Sequence, residues 1–135
     1  MGIEPFLVSS SIIGVLAQRL VRRICPDCRK SYQPHPEQLR ELGIKEVSFR
    51  KLDRRFFRGD GCDNCRQTGY RGRIGIHELL VMSEGVKNTI LESSDSDTIK
   101  KQGLKEKMIT LRRDGVNKIL QGLTTAEEIL TITSE

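Results

Sequence analysis

The four cysteines of the sequence stand in two identically spaced pairs, Cys25-Pro26-Asp27-Cys28 and Cys62-Asp63-Asn64-Cys65. A two-residue spacer forms a tight turn that aims both sulfurs at one point, and four thiolates complete the tetrahedral shell of a Zn²⁺ ion. Pro26 suits such a turn because its φ is already fixed. Asn64, before Cys65, tolerates the left-handed conformation that such turns often need. Any fold of this chain must therefore bring the two pairs together across residues 29–61. A structural zinc contributes on the order of 10 kcal/mol or more in small domains, which outweighs a loop-closure entropy that grows only slowly with length.

Two other chemistries use cysteine pairs. Disulfides suit secreted chains, but here no secretory signal is seen. The apolar run at 6–17 is broken by Ser9, Ser10 and Ser11, and its basic residues follow it instead of preceding it. The run is also too short to cross a bilayer, so the chain reads as cytoplasmic. A redox dithiol needs only one pair, in a βαβ setting. Cys25, Cys28, Cys62 and Cys65 are thus expected to be the ligands of a structural zinc. A shell closed by four thiolates has no open position for catalysis.

The 135 residues suffice for one domain or two small subdomains. With 36% hydrophobic residues, 4% aromatic and no tryptophan, a small core is expected, with the metal replacing missing burial. The formal charge of +5 falls by about 2 when four thiolates bind one Zn²⁺, so charge alone does not call for nucleic acid.

Along the chain, Ile12, Ile13, Leu16, Leu20 and Ile24 recur at helical spacing, and the pattern predicts a helix from Ser9 or Ser10 to Ile24. Gln18, Arg19, Arg22 and Arg23 would lie on its solvated face. Between the cysteine pairs, Pro36 to Gly43 reads as a short helix. Phe49 to Arg58 interleaves aromatic and basic residues, a pattern open to nucleic-acid stacking but favoured here as a strand or turn beside the cysteines. His35 is read as an exposed loop residue. Ile74 to Leu80 is expected to be a strand. Helices follow, capped by Ser83, by Asp95 or Ser96, and by overlapping boxes at Thr124-Thr125-Ala126-Glu127-Glu128, with another from Leu111 ending at Gly122. Neither G-x-x-x-x-G-K-[S/T] nor G-x-G-x-x-G occurs in the sequence.

Four stretches in order resemble the C-terminal portion of the type II secretion and type IV pilus assembly traffic ATPases. They are Glu4-Pro5-Phe6-Leu7-Val8-Ser9-Ser10-Ser11, Leu16-Ala17-Gln18-Arg19-Leu20-Val21-Arg22-Arg23-Ile24-Cys25-Pro26, Thr68-Gly69-Tyr70-Arg71-Gly72-Arg73 with Gly75-Ile76-His77-Glu78-Leu79-Leu80, and Leu111-Arg112-Arg113-Asp114-Gly115-Val116 running to Gly122-Leu123-Thr124. The resemblance covers essentially the whole chain and leans to the secretion branch. It implies an α+β, mostly helical fold: the helical end of an α/β ATPase core at 1–24, a tetracysteine zinc subdomain at 25–73 and a helical tail at 74–135. It matches Cys25, Cys28, Cys62 and Cys65 to the family's zinc ligands and carries no catalytic role onto Gln18 or Arg19. It further implies a hexamer, peripheral to the cytoplasmic face of the inner membrane through secretion or pilus platform proteins, with no nucleic-acid partner. ATP and Mg²⁺ would be bound only by the intact parent enzyme, because the phosphate-binding loop would lie upstream of Met1. The chain is accordingly expected to be a piece of a longer protein and inactive alone. A stand-alone zinc-ribbon module that binds nucleic acid is the competing reading.

Overall fold

The computed structural model describes residues 2–93 and 95–134, and its fold is α+β. The chain forms two compact units, one from Met1–Ala17 with His77–Thr110, the other from Gln18–Ile76 with Leu111–Glu135.

In the first unit, α1 (Pro5–Ser11) opens on a proline at its first turn, where a missing N–H costs nothing. Later come α4 (Glu84–Glu92), capped by Ser83 Oγ accepting from Val86 N–H, and α5 (Ser96–Lys105), capped by Asp95 accepting from Thr98 N–H. Met82, Val86 and Ile90 form its buried cluster, with Val8, Leu80 and Ile99 packed against them. No helix among the described residues is long and apolar enough to cross a membrane.

The helix expected up to Ile24 is not there. Gly14–Ile24 is a strand, β1, and it pairs with β4 (Tyr70–Val81), the strand expected from Ile74. The supposed apolar helix face is largely exposed: Ile13 is 90% and Leu16 61% accessible. Its spacing was therefore not set by one buried side, and the period carries no helical information. The β-branched Val15, Val21 and Ile24 favour the extended chain, and β4 offers a ladder partner.

The second unit holds β2 (Arg29–Tyr32), α2 (Pro36–Glu41), α3 (Glu46–Lys51), β3 (Phe56–Gly59), α6 (Leu111–Leu120) and α7 (Ala126–Ile132). The α2 helix forms as anticipated, but His35 does more than fill a loop. Its Nδ1 accepts from Glu37 N–H at 3.3 Å, and Gln38 answers by accepting from His35 N–H. Strands β2 and β3 are antiparallel, with Arg29 opposite Gly59 and Tyr32 opposite Phe56. Residues 29–61 are thus not a loose loop closed by metal alone. The core is larger than the composition suggested: Val21, Leu39, Leu42, Phe49, Phe56, Ile76, Val116, Ile119, Ala126 and Ile129 pack into one buried cluster. Phe56 sits at its centre, edge-on to Phe49 at 5.4 Å and to Tyr32 at 6.2 Å. Burial of Phe49 and Phe56 removes both rings from any role in stacking on bases.

Candidate metal centre

The β2–β3 ribbon assembles the cysteines. β2 begins directly after Cys28, and β3 ends at Gly59 with only Asp60 and Gly61 before Cys62. Pairing Arg29 with Gly59 therefore sets the two turns side by side. Asp60 N–H donates to the Cys28 carbonyl at 3.1 Å, and Cys25 N–H donates to the Gly69 carbonyl at 2.9 Å.

The four Sγ atoms lie within 4.8 Å of one another. Cys25–Cys62, Cys28–Cys65 and Cys62–Cys65 stand at 3.7, 3.8 and 3.6 Å. A tetrahedron with Zn–S bonds near 2.3 Å has edges of about 3.8 Å, so these spacings fit a zinc ion. They are far beyond the bond length of a disulfide, and all four cysteines are free. Cys25 and Cys65 are buried, while Cys28 and Cys62 are partly exposed. Main-chain N–H groups point at the sulfurs: Gly61 to Cys28 at 3.3 Å, Cys62 to Cys65 at 3.3 Å and Gly69 to Cys65 at 3.2 Å. Such donors offset thiolate charge, which is what a metal-binding sulfur needs.

Desolvation raises the Cys28 and Cys65 thiols, and the local hydrogen bonds decide the outcome. At Cys65 the donors Gly69 N–H and Cys62 N–H, with the neighbouring thiols, prevail and lower it to about 6. At Cys28 desolvation prevails over the Gly61 N–H and raises it to about 12. One sulfur of the set is thus prepared as an anion, and a cation at the centre would deprotonate the rest.

The turns differ from expectation in one respect. The left-handed residues are Arg66 (φ +56°) and Gln67 (φ +64°), which follow the second pair, and not Asn64. Asn64 instead donates from Nδ2 to Asp27 at 2.7 Å and ties one spacer to the other. Arg71 stands 3.8 Å from the same carboxylate. Polar spacer residues in both pairs were the available signal for this clasp.

A second feature is the closure of this unit around Arg22, a residue assigned from sequence to a solvated helix face. The Arg22 guanidinium donates twice to Glu128 Oε1, at 2.9 and 2.7 Å, and its backbone N–H donates to Oε2 at 2.9 Å. It also lies 4.1 Å over the ring of Tyr70. Tyr70 meets Thr125 Oγ1 at 2.8 Å, and Thr124 donates to the Arg22 carbonyl at 2.8 Å. Thr125 caps α7 as expected, but the Glu128 carboxylate serves Arg22 and does not complete the box. Two candidate threonines ahead of one short helix were the only sequence hint, since one sufficed for the cap.

Desolvation alone would raise the Glu128 carboxyl, but the hydrogen bonds from Arg22 outweigh it and hold it below the usual carboxylate range. A depressed carboxyl contributes stability above its unfolded value, near 4.3, and loses it as pH falls through the folded value. Glu128→Gln should cost about 1–2 kcal/mol at pH 7, allowing for solvent at the half-open arginine. The difference in urea midpoint between wild type and variant should shrink steadily below about pH 4. A gap that stays constant from neutral pH to pH 3 would contradict this role.

The chain matches the family model described as Type II/IV secretion system protein over residues 1–131. Over 135 residues it is 47% identical to Type II secretion system protein E of Aeromonas hydrophila and 46% identical to Type IV pilus assembly ATPase PilB of Thermus thermophilus. It is 42% identical to Type II secretion system ATPase E of Vibrio cholerae. In each case the whole of this chain is covered, against 26%, 15% and 26% of the relative. The chain thus spans about a quarter or less of the length of these proteins.

Proposed function

We propose, from the premise that this chain belongs to the Type II/IV secretion system protein family, that it is the zinc-stabilised C-terminal portion of a hexameric ATPase that powers type II secretion. Cys25, Cys28, Cys62 and Cys65 hold one structural Zn²⁺, supported by four sulfurs at tetrahedral-edge spacing. The zinc supplies rigidity and no reaction step, because four thiolates leave no coordination position for substrate or water. The chain's own residues carry the rest: Gly61, Cys62 and Gly69 N–H groups orient the sulfurs, and Arg22 with Glu128 closes the unit that contains them. Residues 25–73 form the zinc subdomain in this reading. ATP and Mg²⁺ belong to the rest of the ATPase, which acts on the cytoplasmic side of the inner membrane with other subunits and platform proteins.

The single observation that carries the reading is the likeness along the full chain to ATPases of both branches, at 46–47% identity. Because the two branches match equally well, assembly of a type IV pilus is the second reading. A replacement experiment separates them. The homologous region of the Aeromonas secretion protein E, or of the Thermus pilus ATPase, is exchanged for this chain. Restored secretion without restored piliation is the expected result, and the reverse would transfer the assignment to pilus assembly. The purified chain should hydrolyse ATP no faster than a buffer blank, since its sequence has no phosphate-binding loop. Zinc-dependent turnover by the isolated chain would defeat the assignment of catalysis elsewhere.

A further inference from the structure

Neither the metal centre nor the secretion reading uses the groove between α3 and α6 of the second unit. It encloses about 320 Å³; Phe49, Val116 and Leu120 form its floor, and Lys45, Arg54 and Arg113 stand around it. No acidic side chain lines it. The nearest acid on α3, Glu46, is held by Arg50 at 2.9 Å. Leu52, the residue that follows α3 and lines the groove, is 63% exposed. The groove's apolar lining is thus open to solvent there.

We propose that this groove docks an acidic segment of a partner protein, seating one bulky apolar side chain between flanking carboxylates. The volume lies at the bottom of the range of about 300–1,000 Å³ typical of small-molecule pockets. That is room for one anchoring side chain, the mode in which grooves read peptides. The exposed cations Lys45 and Arg54 select the charge of the flanking residues. The surrounding unit reinforces the choice: eighteen of the chain's 23 Lys and Arg residues lie in it, against eleven of its 18 Asp and Glu. Its long-range field therefore draws anionic partners. The proposal stands on the groove and does not depend on which machine the chain serves.

The test titrates the full isotope-labelled chain with the acetylated, amidated peptide Glu-Glu-Leu-Phe-Glu-Glu, with its Leu-Phe pair changed to Ala-Ala, and with its glutamates changed to lysine. Amides of Ser48, Leu52 and Leu120 should shift with the first peptide, and the Ala-Ala peptide should bind about tenfold more weakly or worse. Lys45→Glu with Arg54→Glu, both exposed positions, should weaken binding about tenfold while leaving distant amides in place. Equal binding of the lysine peptide, shifts confined to other surfaces, or no saturation by about 1 mM would each overturn the proposal. So would an anionic phosphatidylglycerol vesicle that binds through the same two cations when the peptide does not.

Discussion

Cys65→Ser should abolish metal binding and unfold the tetracysteine region. Cys65 is buried, and its sulfur receives N–H groups from Cys62 and Gly69 while touching Cys28 and Cys62 sulfurs at 3.8 and 3.6 Å. Serine has the size but not the soft, easily ionised donor that zinc prefers. The loss is on the order of 10 kcal/mol, comparable with the entire stability of an ordinary domain, about 5–15 kcal/mol. Bound zinc should therefore fall from near one per chain to near zero, and amide protection in β2 and β3 should disappear. Wild-type protein stripped with a strong chelator should give the same spectrum as the variant. Full zinc content in Cys65→Ser, or reduced wild-type protein that contains no metal as purified, would sink the structural-zinc reading.

Gly59→Ala should be nearly as damaging, although it removes no ligand. A Cβ at Gly59 would strike the Gly69 carbonyl oxygen and stand 2.6 Å from the Gly69 Cα. Both obstacles are backbone, so no rotamer change relieves them. Gly69 is fixed from two sides, by its N–H on the Cys65 sulfur and its carbonyl on Cys25 N–H. Room for the methyl can come only by parting the first cysteine pair from the second. The penalty should reach the upper end of the usual overpacking cost, about 3 kcal/mol, and appear as weakened metal affinity with little change in secondary structure. A variant with wild-type affinity in a chelator competition would show that the crossing is not tight.

The cysteine pairs, the capped helices and the short α2 were legible because each rests on local chemistry: a ligand spacing, a hydroxyl before a helix, a proline and a glycine at its ends. The first strand was not. Leu16 and Leu20 are exposed in it, so their spacing of four reflects no buried face, and partners distant in sequence, β4 and the segment around Thr124 and Glu128, hold its conformation. Arg22 and Glu128 were unreadable for a related reason, being 106 residues apart, with no period linking them. The four-sulfur cluster was legible in its cysteines and not in its framing. Nothing local to Asp27 announces Asn64, and nothing local to Gly59 announces Gly69.

The Arg22–Glu128 closure has a bearing on synthesis. Val21, Phe56 and Ile76 share one buried cluster with Val116, Ile119 and Ile129, so the unit that holds the cysteines is sealed by residues translated some fifty or more positions later. Ribosomes add about 5–20 residues each second. For several seconds the nascent chain therefore carries its cysteine ribbon with one apolar flank uncovered. In the structural-zinc reading, early capture of the ion would hold that ribbon in register while it waits, adding a role in the order of assembly to the one proposed for the finished fold.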